Sequence, residues 1–129
     1  MTVTRSMRIL LVEDDPEQLA IREMLVAHFG FEAVAVQSVE EALAAARAQE
    51  LDYALIDLRL PEESAGLRLL RELRKIQPGL RVSVLTGGSL EKLERLPERA
   101  LIEEVHGKGQ SSLSVLLRRL QAQFRAVTH

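Results

Sequence analysis

Five residues of this chain have types and placements that could do chemistry together: Glu13, Asp14, Asp57, Thr86 and Lys108. Glu13 and Asp14 come directly after the apolar run 8–12 (RILLV), Asp57 closes 52–57 (DYALID), and Thr86 closes 81–86 (RVSVLT). Lys108 follows a fifth possible run within 101–106. Carboxylates brought together repel: at an effective dielectric of about 20, two charges about 4 Å apart cost about 4 kcal/mol. Either their pKa values rise or a cation holds them. Mg²⁺ suits such a set, because it takes a few carboxylates, waters and a phosphate. Taken singly, each residue has an ordinary reading. An acid is a solvated loop residue, Thr86 caps a strand end, and Lys108 is a surface lysine. The five in this order, at the ends of the first, third, fourth and fifth strands, are poorly explained that way.

The elements between them make the convergence physical. Short apolar runs that end in acids suit strands buried on both faces, as in a parallel sheet. Asp15-Pro16 marks a helix start, with Asp15 as cap and Pro16 in the first turn. Leu19, Met24, Leu25, His28 and Phe29 follow at roughly helical spacing, and Gly30 ends the helix. Residues 33–37 (AVAVQ) read as a second strand. Ser38 with Glu41 forms a capping-box pattern opening an Ala-rich helix to about Gln49. After the third strand, a loop with Pro61 and Gly66 leads to a helix over roughly 67–77, with Leu69, Leu70, Leu73 and Ile76 inward and Pro78-Gly79 as its stop. Leu90, Leu93 and Leu96 suggest a fourth helix that Pro97 cuts short. The last helix carries Leu113, Leu116, Leu117, Leu120, Phe124 and Val127 on one stripe. Strands alternating with helices predict an α/β fold: five parallel strands, right-handed crossovers, a doubly wound sheet. In such sheets ligands bind beyond the carboxyl ends of the strands, where these five residues fall.

With these residues in place, the chain resembles the receiver domain of response regulators along essentially its whole length. RILLVEDDP resembles the first-strand motif with its acidic pair, and ALIDLRLP the phosphoacceptor motif with its loop proline, here Pro61. VSVLTGG sets Thr86 at the Thr/Ser position, and HGKG sets Lys108 at the lysine position. The resemblance implies a CheY-like, flavodoxin-like (βα)5 fold and a single receiver domain over 1–129, core about 7–127, with no output domain. It implies phosphoryl transfer to Asp57 from a histidine kinase or histidine phosphotransfer protein. Mg²⁺ would be held by Glu13, Asp14, Asp57 and the main-chain carbonyl of Arg59. Lys108 would pair with the phosphoryl group as a point charge, and the Thr86 hydroxyl would donate to one of its oxygens. The chain would be a phosphoacceptor with self-catalysed transfer and dephosphorylation, not an enzyme, signalling to an unidentified downstream protein.

Four departures from the family pattern bear on the switch. The family's strand-five aromatic is missing; the nearest residues are Val105 and His106, and His106 is the candidate substitute. Gly109 stands where a proline usually follows the lysine. The Pro61–Gly66 loop is about one residue longer than usual. Gly87-Gly88 and Pro97 bracket a short fourth helix, a pattern similar to a divergent receiver subgroup with a Thr-Gly motif and a remodelled fourth-helix region. A pseudo-receiver, a protein-binding module that is never phosphorylated, stays open on the first of these. A flavin-type phosphate cradle fits poorly, because the loop after strand one is Glu-Asp-Asp and repels phosphate unless a metal intervenes. A P-loop fails because Gly109 follows Lys108.

Composition narrows the field further. The 129 residues suit one domain, 47% of them apolar and 28% charged. Without cysteine there are no disulfides, thiolate nucleophiles or Cys-zinc sites. A formal charge of −2 gives no footprint for nucleic acid. The apolar runs fall far short of the roughly 20 residues that span a bilayer, and the run after Arg5 and Arg8 is too short for a signal peptide. The expectation is a cytoplasmic monomer or weak dimer with no direct contact to nucleic acid or membrane.

Overall fold

The computed structural model describes residues 6–58, 63–87 and 90–128, with 63, 110, 111 and 125–128 described by backbone alone. Five strands form one sheet: β1 (Arg8–Val12), β2 (Glu32–Val36), β3 (Tyr53–Asp57), β4 (Arg81–Leu85) and β5 (Glu104–His106). The order is β2-β1-β3-β4-β5, and every neighbouring pair is parallel. The connecting helices are α1 (Pro16–His28), α2 (Val39–Ala48), α3 (Glu63–Ile76), α4 (Leu90–Glu94) and α5 (Gln110–Thr128), with a 3-10 turn at Pro97–Leu101 before β5.

Alternation along the strands builds two cores. Leu10, Val12, Ala54, Ile56, Val82 and Val84 face the side covered by α2, α3 and α4. Ile9, Leu11, Tyr53 and Leu55 face the side covered by α1 and α5 through Leu19, Val26, Leu113, Leu116, Leu117 and Leu120. Both faces of the central strands are buried, so they read as continuous apolar runs. This is the doubly wound, flavodoxin-like arrangement the sequence predicts. Among the described residues, no helix is long and apolar enough to cross a membrane.

The helix signals act as read at several points. Asp15 Oδ1 accepts from Glu17 N at 3.0 Å, Ser38 Oγ accepts from Glu41 N at 3.1 Å, and Gly30 takes φ +87° past the end of α1. α4 is short as expected but ends at Glu94, so Leu96 lies outside it, and Pro97 opens the 3-10 turn as its first residue.

Two expectations are corrected. The third helix begins at Glu63, not near 67, and Gly66 lies inside it rather than in the loop. The glycine is there for space: a Cβ at position 66 would lie 2.1 Å from the main-chain oxygen of Leu58. The helix therefore presses its first turn against the residue that follows Asp57. In α1 the buried residues are Leu19, Arg22 and Val26, while Met24 is 73% exposed and His28 also faces solvent. The apolar stripe is rotated from the one expected because a buried arginine occupies its middle.

Candidate functional site

The site follows from register. Val12 pairs with Ile56 across β1 and β3, so the next residues, Glu13 and Asp57, emerge side by side where the strand order reverses. Asp57 in turn pairs with Leu85 on β4, and Thr86 follows directly. Leu85 pairs with His106 on β5, and Thr86 N donates to His106 O at 2.9 Å. Lys108 lies two residues beyond. Every chemistry-bearing residue named from the sequence that lies in the described region falls at this one edge of the sheet.

Side-chain geometry tightens the picture. The carboxylates of Glu13, Asp14 and Asp57 offer oxygens all within 4.8 Å of one another. Asp57 is 2% exposed and Glu13 3% exposed, whereas Asp14 faces solvent. Lys108 Nζ donates to Asp57 Oδ2 at 2.8 Å. Thr86 is buried at the end of β4. The main chain of Arg59, Pro61 and Gly88 lie outside the described residues, and with them the Arg59 carbonyl and the length of the Pro61–Gly66 loop.

One residue at the pocket escaped the sequence reading. Arg22 of α1 is 5% exposed, and its Nη1 lies 2.9 Å from Glu13 Oε1. The available signal was its spacing: it stands three residues after Leu19 and four before Val26, inside the stripe that packs on the sheet.

The electrostatics follow. Burial pushes the Glu13 carboxyl from its ordinary value up to about 7; a hydrogen bond with Asp57 and the repulsion of its charge add to this, and the Arg22 charge opposes it. Two side-chain cations already meet these carboxylates: Arg22 pairs with Glu13 and Lys108 with Asp57. The set nonetheless fits a small divalent ion. Three carboxylate oxygens converge, one carboxylate is solvent-facing and able to bring water ligands, and a shared proton or a cation is needed to keep Glu13 beside Asp57. His106 Nε2 is buried without a hydrogen-bond partner among the described residues, 3.5 Å from Glu104 Oε1.

Comparison with known proteins agrees with this arrangement. A family model described as the response regulator receiver domain matches residues 9–101. The chain is 35% identical over 78 residues to the transcriptional regulatory protein GlrR of Escherichia coli K12, covering 60% of this chain and 17% of that protein. It is 40% identical over 79 residues to the photosynthetic apparatus regulatory protein RegA of Cereibacter sphaeroides, covering 61% of this chain and 42% of that one. The chain thus spans less than half the length of these curated relatives. Among solved structures, the CheY-like receiver domain protein of Methanospirillum hungatei superposes with a TM-score of 0.80 at 26% identity, over 95% of this chain and 96% of that one. The response regulator TrrA of Thermotoga maritima, solved in complex with Mg²⁺-BeF, has a TM-score of 0.77 at 22% identity, over 90% of this chain and 97% of that one, a likeness of fold alone. The chain belongs to the receiver-domain family of two-component response regulators.

Proposed function

We propose that this receiver accepts a phosphoryl group on Asp57 from a histidine kinase or a histidine phosphotransfer protein, and signals in the cytoplasm by a conformational change and protein contact. The observation that carries the reading is the buried Asp57 carboxylate, held by Lys108 at 2.8 Å beside the carboxylates of Glu13 and Asp14. In this reading an Asp57 oxygen attacks the phosphorus of the donor's phosphohistidine. An O–P bond forms, the N–P bond breaks with its electron pair returning to the imidazole, and Asp57 becomes an acyl phosphate. Lys108 orients the carboxylate first and then pairs with a phosphoryl oxygen as a point charge. The Thr86 hydroxyl donates to another phosphoryl oxygen. Glu13, Asp14, Asp57 and the Arg59 carbonyl are the proposed Mg²⁺ ligands, and the ion supplies neutralisation of the phosphoryl charge. Because phosphoryl transfer is mostly positioning and charge compensation, this residue set is chemically sufficient.

Incubation with Mg²⁺ and acetyl phosphate tests the reading by intact-protein mass. The wild type is expected to gain one phosphoryl group, and Asp57→Asn, nearly isosteric and folded, to gain none. Labelling of the Asn variant at the wild-type rate would contradict the assignment. A wild type that never gains the mass would favour a non-phosphorylated protein-binding module.

A further inference from the structure

Helix α1 buries three side chains, and the middle one is a cation. Arginine is almost never fully buried without a partner. The partner here is Glu13, with the two side chains only 6% and 4% exposed. Glu13 is held independently of that pair: its N donates to Val36 O at 3.1 Å, and its Oε2 lies 3.4 Å from Asp15 N. Arg22 is therefore not the sole anchor of Glu13, and positive charge is what it brings that those two bonds do not. With all three carboxylates ionised, as a bound divalent ion requires, and the bases Arg22 and Lys108 charged, the pocket's formal charge is −1, and it would be −2 without Arg22. Arginine cannot shed its proton in a protein, so this charge persists when another cation enters.

We infer that Arg22 is a built-in counter-cation that neutralises part of the acidic pocket and thereby sets its affinity for a divalent ion. The inference rests on the reading of the pocket as a metal site. While the pocket is empty, the guanidinium compensates the most buried acid of the cluster that is not already paired with Lys108. An entering Mg²⁺ must then share Glu13 with a fixed positive charge a few ångströms away. Coulomb repulsion over that distance, even well screened, changes a binding constant by about tenfold or more. Occupancy would consequently follow the divalent-ion concentration, where a more negative pocket would stay saturated.

The test is a Mg²⁺ titration of the full chain followed by backbone amide NMR, with melting temperature as the check on folding. Arg22→Met is expected to bind Mg²⁺ about tenfold more tightly, and Arg22→Lys, which keeps the charge, to stay within about threefold of wild type. A merely structural role would lower the melting temperature of Arg22→Met and leave its dissociation constant unchanged, which would overturn the inference. Should Arg22→Met fail to fold without metal, Glu13→Gln is compared with Glu13→Gln/Arg22→Met. The double variant is expected to bind more tightly, and equal affinities would overturn the inference. Absence of any Mg²⁺ response in wild type and Arg22→Met alike defeats the metal-site reading itself. A wild-type response that Arg22→Met leaves unchanged defeats only the role of Arg22.

Discussion

His106 stands on β5 opposite Leu85, and its carbonyl accepts from Thr86 N. Burial pushes its imidazole below the ordinary value of 6.5; Glu104 pulls it back up, and Arg119 adds to the lowering. The consequence for stability has a definite sign. Below about pH 6.5 the unfolded chain takes up this proton before the folded one does, so stability falls as pH drops through that window. Histidine 106 is thus held as a neutral, partly buried ring, close to what an aromatic would offer. His106→Phe is expected to remove this part of the acid sensitivity. Thermal melts at pH 7 and pH 5 should show a smaller drop for the variant than for wild type. Comparing the two proteins cancels the contribution of Glu13, whose raised pKa acts in the opposite direction. Equal drops would show that His106 titrates as if exposed. Glu13, Asp57 and Thr86 were legible in the sequence because each closes or directly follows an apolar run. Arg22 was not, because an arginine in a helical stripe is ordinarily scored as the polar face, and only the partner at the end of β1 reveals otherwise.

At the scale of elements, α3 shows how one contact overrules a local signal. A glycine between a proline-bearing loop and a leucine-rich helix reads as loop, yet Gly66 is inside α3 because the helix approaches Leu58 too closely for any side chain. Gly66→Ala adds up to about 1 kcal/mol of helix propensity, but overpacking against backbone costs about 1–3 kcal/mol. The clash wins, since the main-chain oxygen it meets cannot rotate away. A lower melting temperature for Gly66→Ala is expected, and an unchanged or higher one would mean that the helix can lift off Leu58 freely. The segment from Gly87 to Pro97 is the opposite case. Leu93 is the buried residue of α4, and the 3-10 turn after it buries none. Exposed ion pairs such as Arg99–Glu94 add at most about 1 kcal/mol each. Moving a two-state element from 1:99 to 99:1 takes about 5.5 kcal/mol, whereas one hydroxyl bond to a charged group supplies roughly 1.5–3 kcal/mol. If Thr86 alone drives this segment, the shift is partial and the active form is already sampled. Amide NMR should then show exchange broadening between Gly87 and Pro97 that narrows on binding beryllofluoride. A rigid segment in both states, with changes concentrated at His106, would relocate the switch to β5. That α4 is short was legible from Pro97, because proline acts locally, but its end at Glu94, before Leu96, was not.

For the molecule as a whole, strand order does the assembling. β1 and β3 are neighbours at the point where the connections reverse direction, so acids 44 positions apart in the chain meet (Glu13 and Asp57). The apolar-run-then-acid pattern made both the fold and the edge legible, because periodicity and termination are local. Distances such as Lys108 to Asp57, and the compensation of the pocket by Arg22, depend on packing between distant segments and so needed the structure. In the proposed function, this edge presents one nucleophilic carboxylate, Asp57. Borohydride reduces an acyl phosphate to the alcohol, turning a phosphorylated aspartate into homoserine that peptide mapping can place. After incubation with acetyl phosphate and Mg²⁺, homoserine is expected at position 57 alone, and none when the divalent ion is chelated. Reduction at another acid, no reduced residue in a protein that has gained phosphoryl mass, or labelling indifferent to Mg²⁺ would contradict the account.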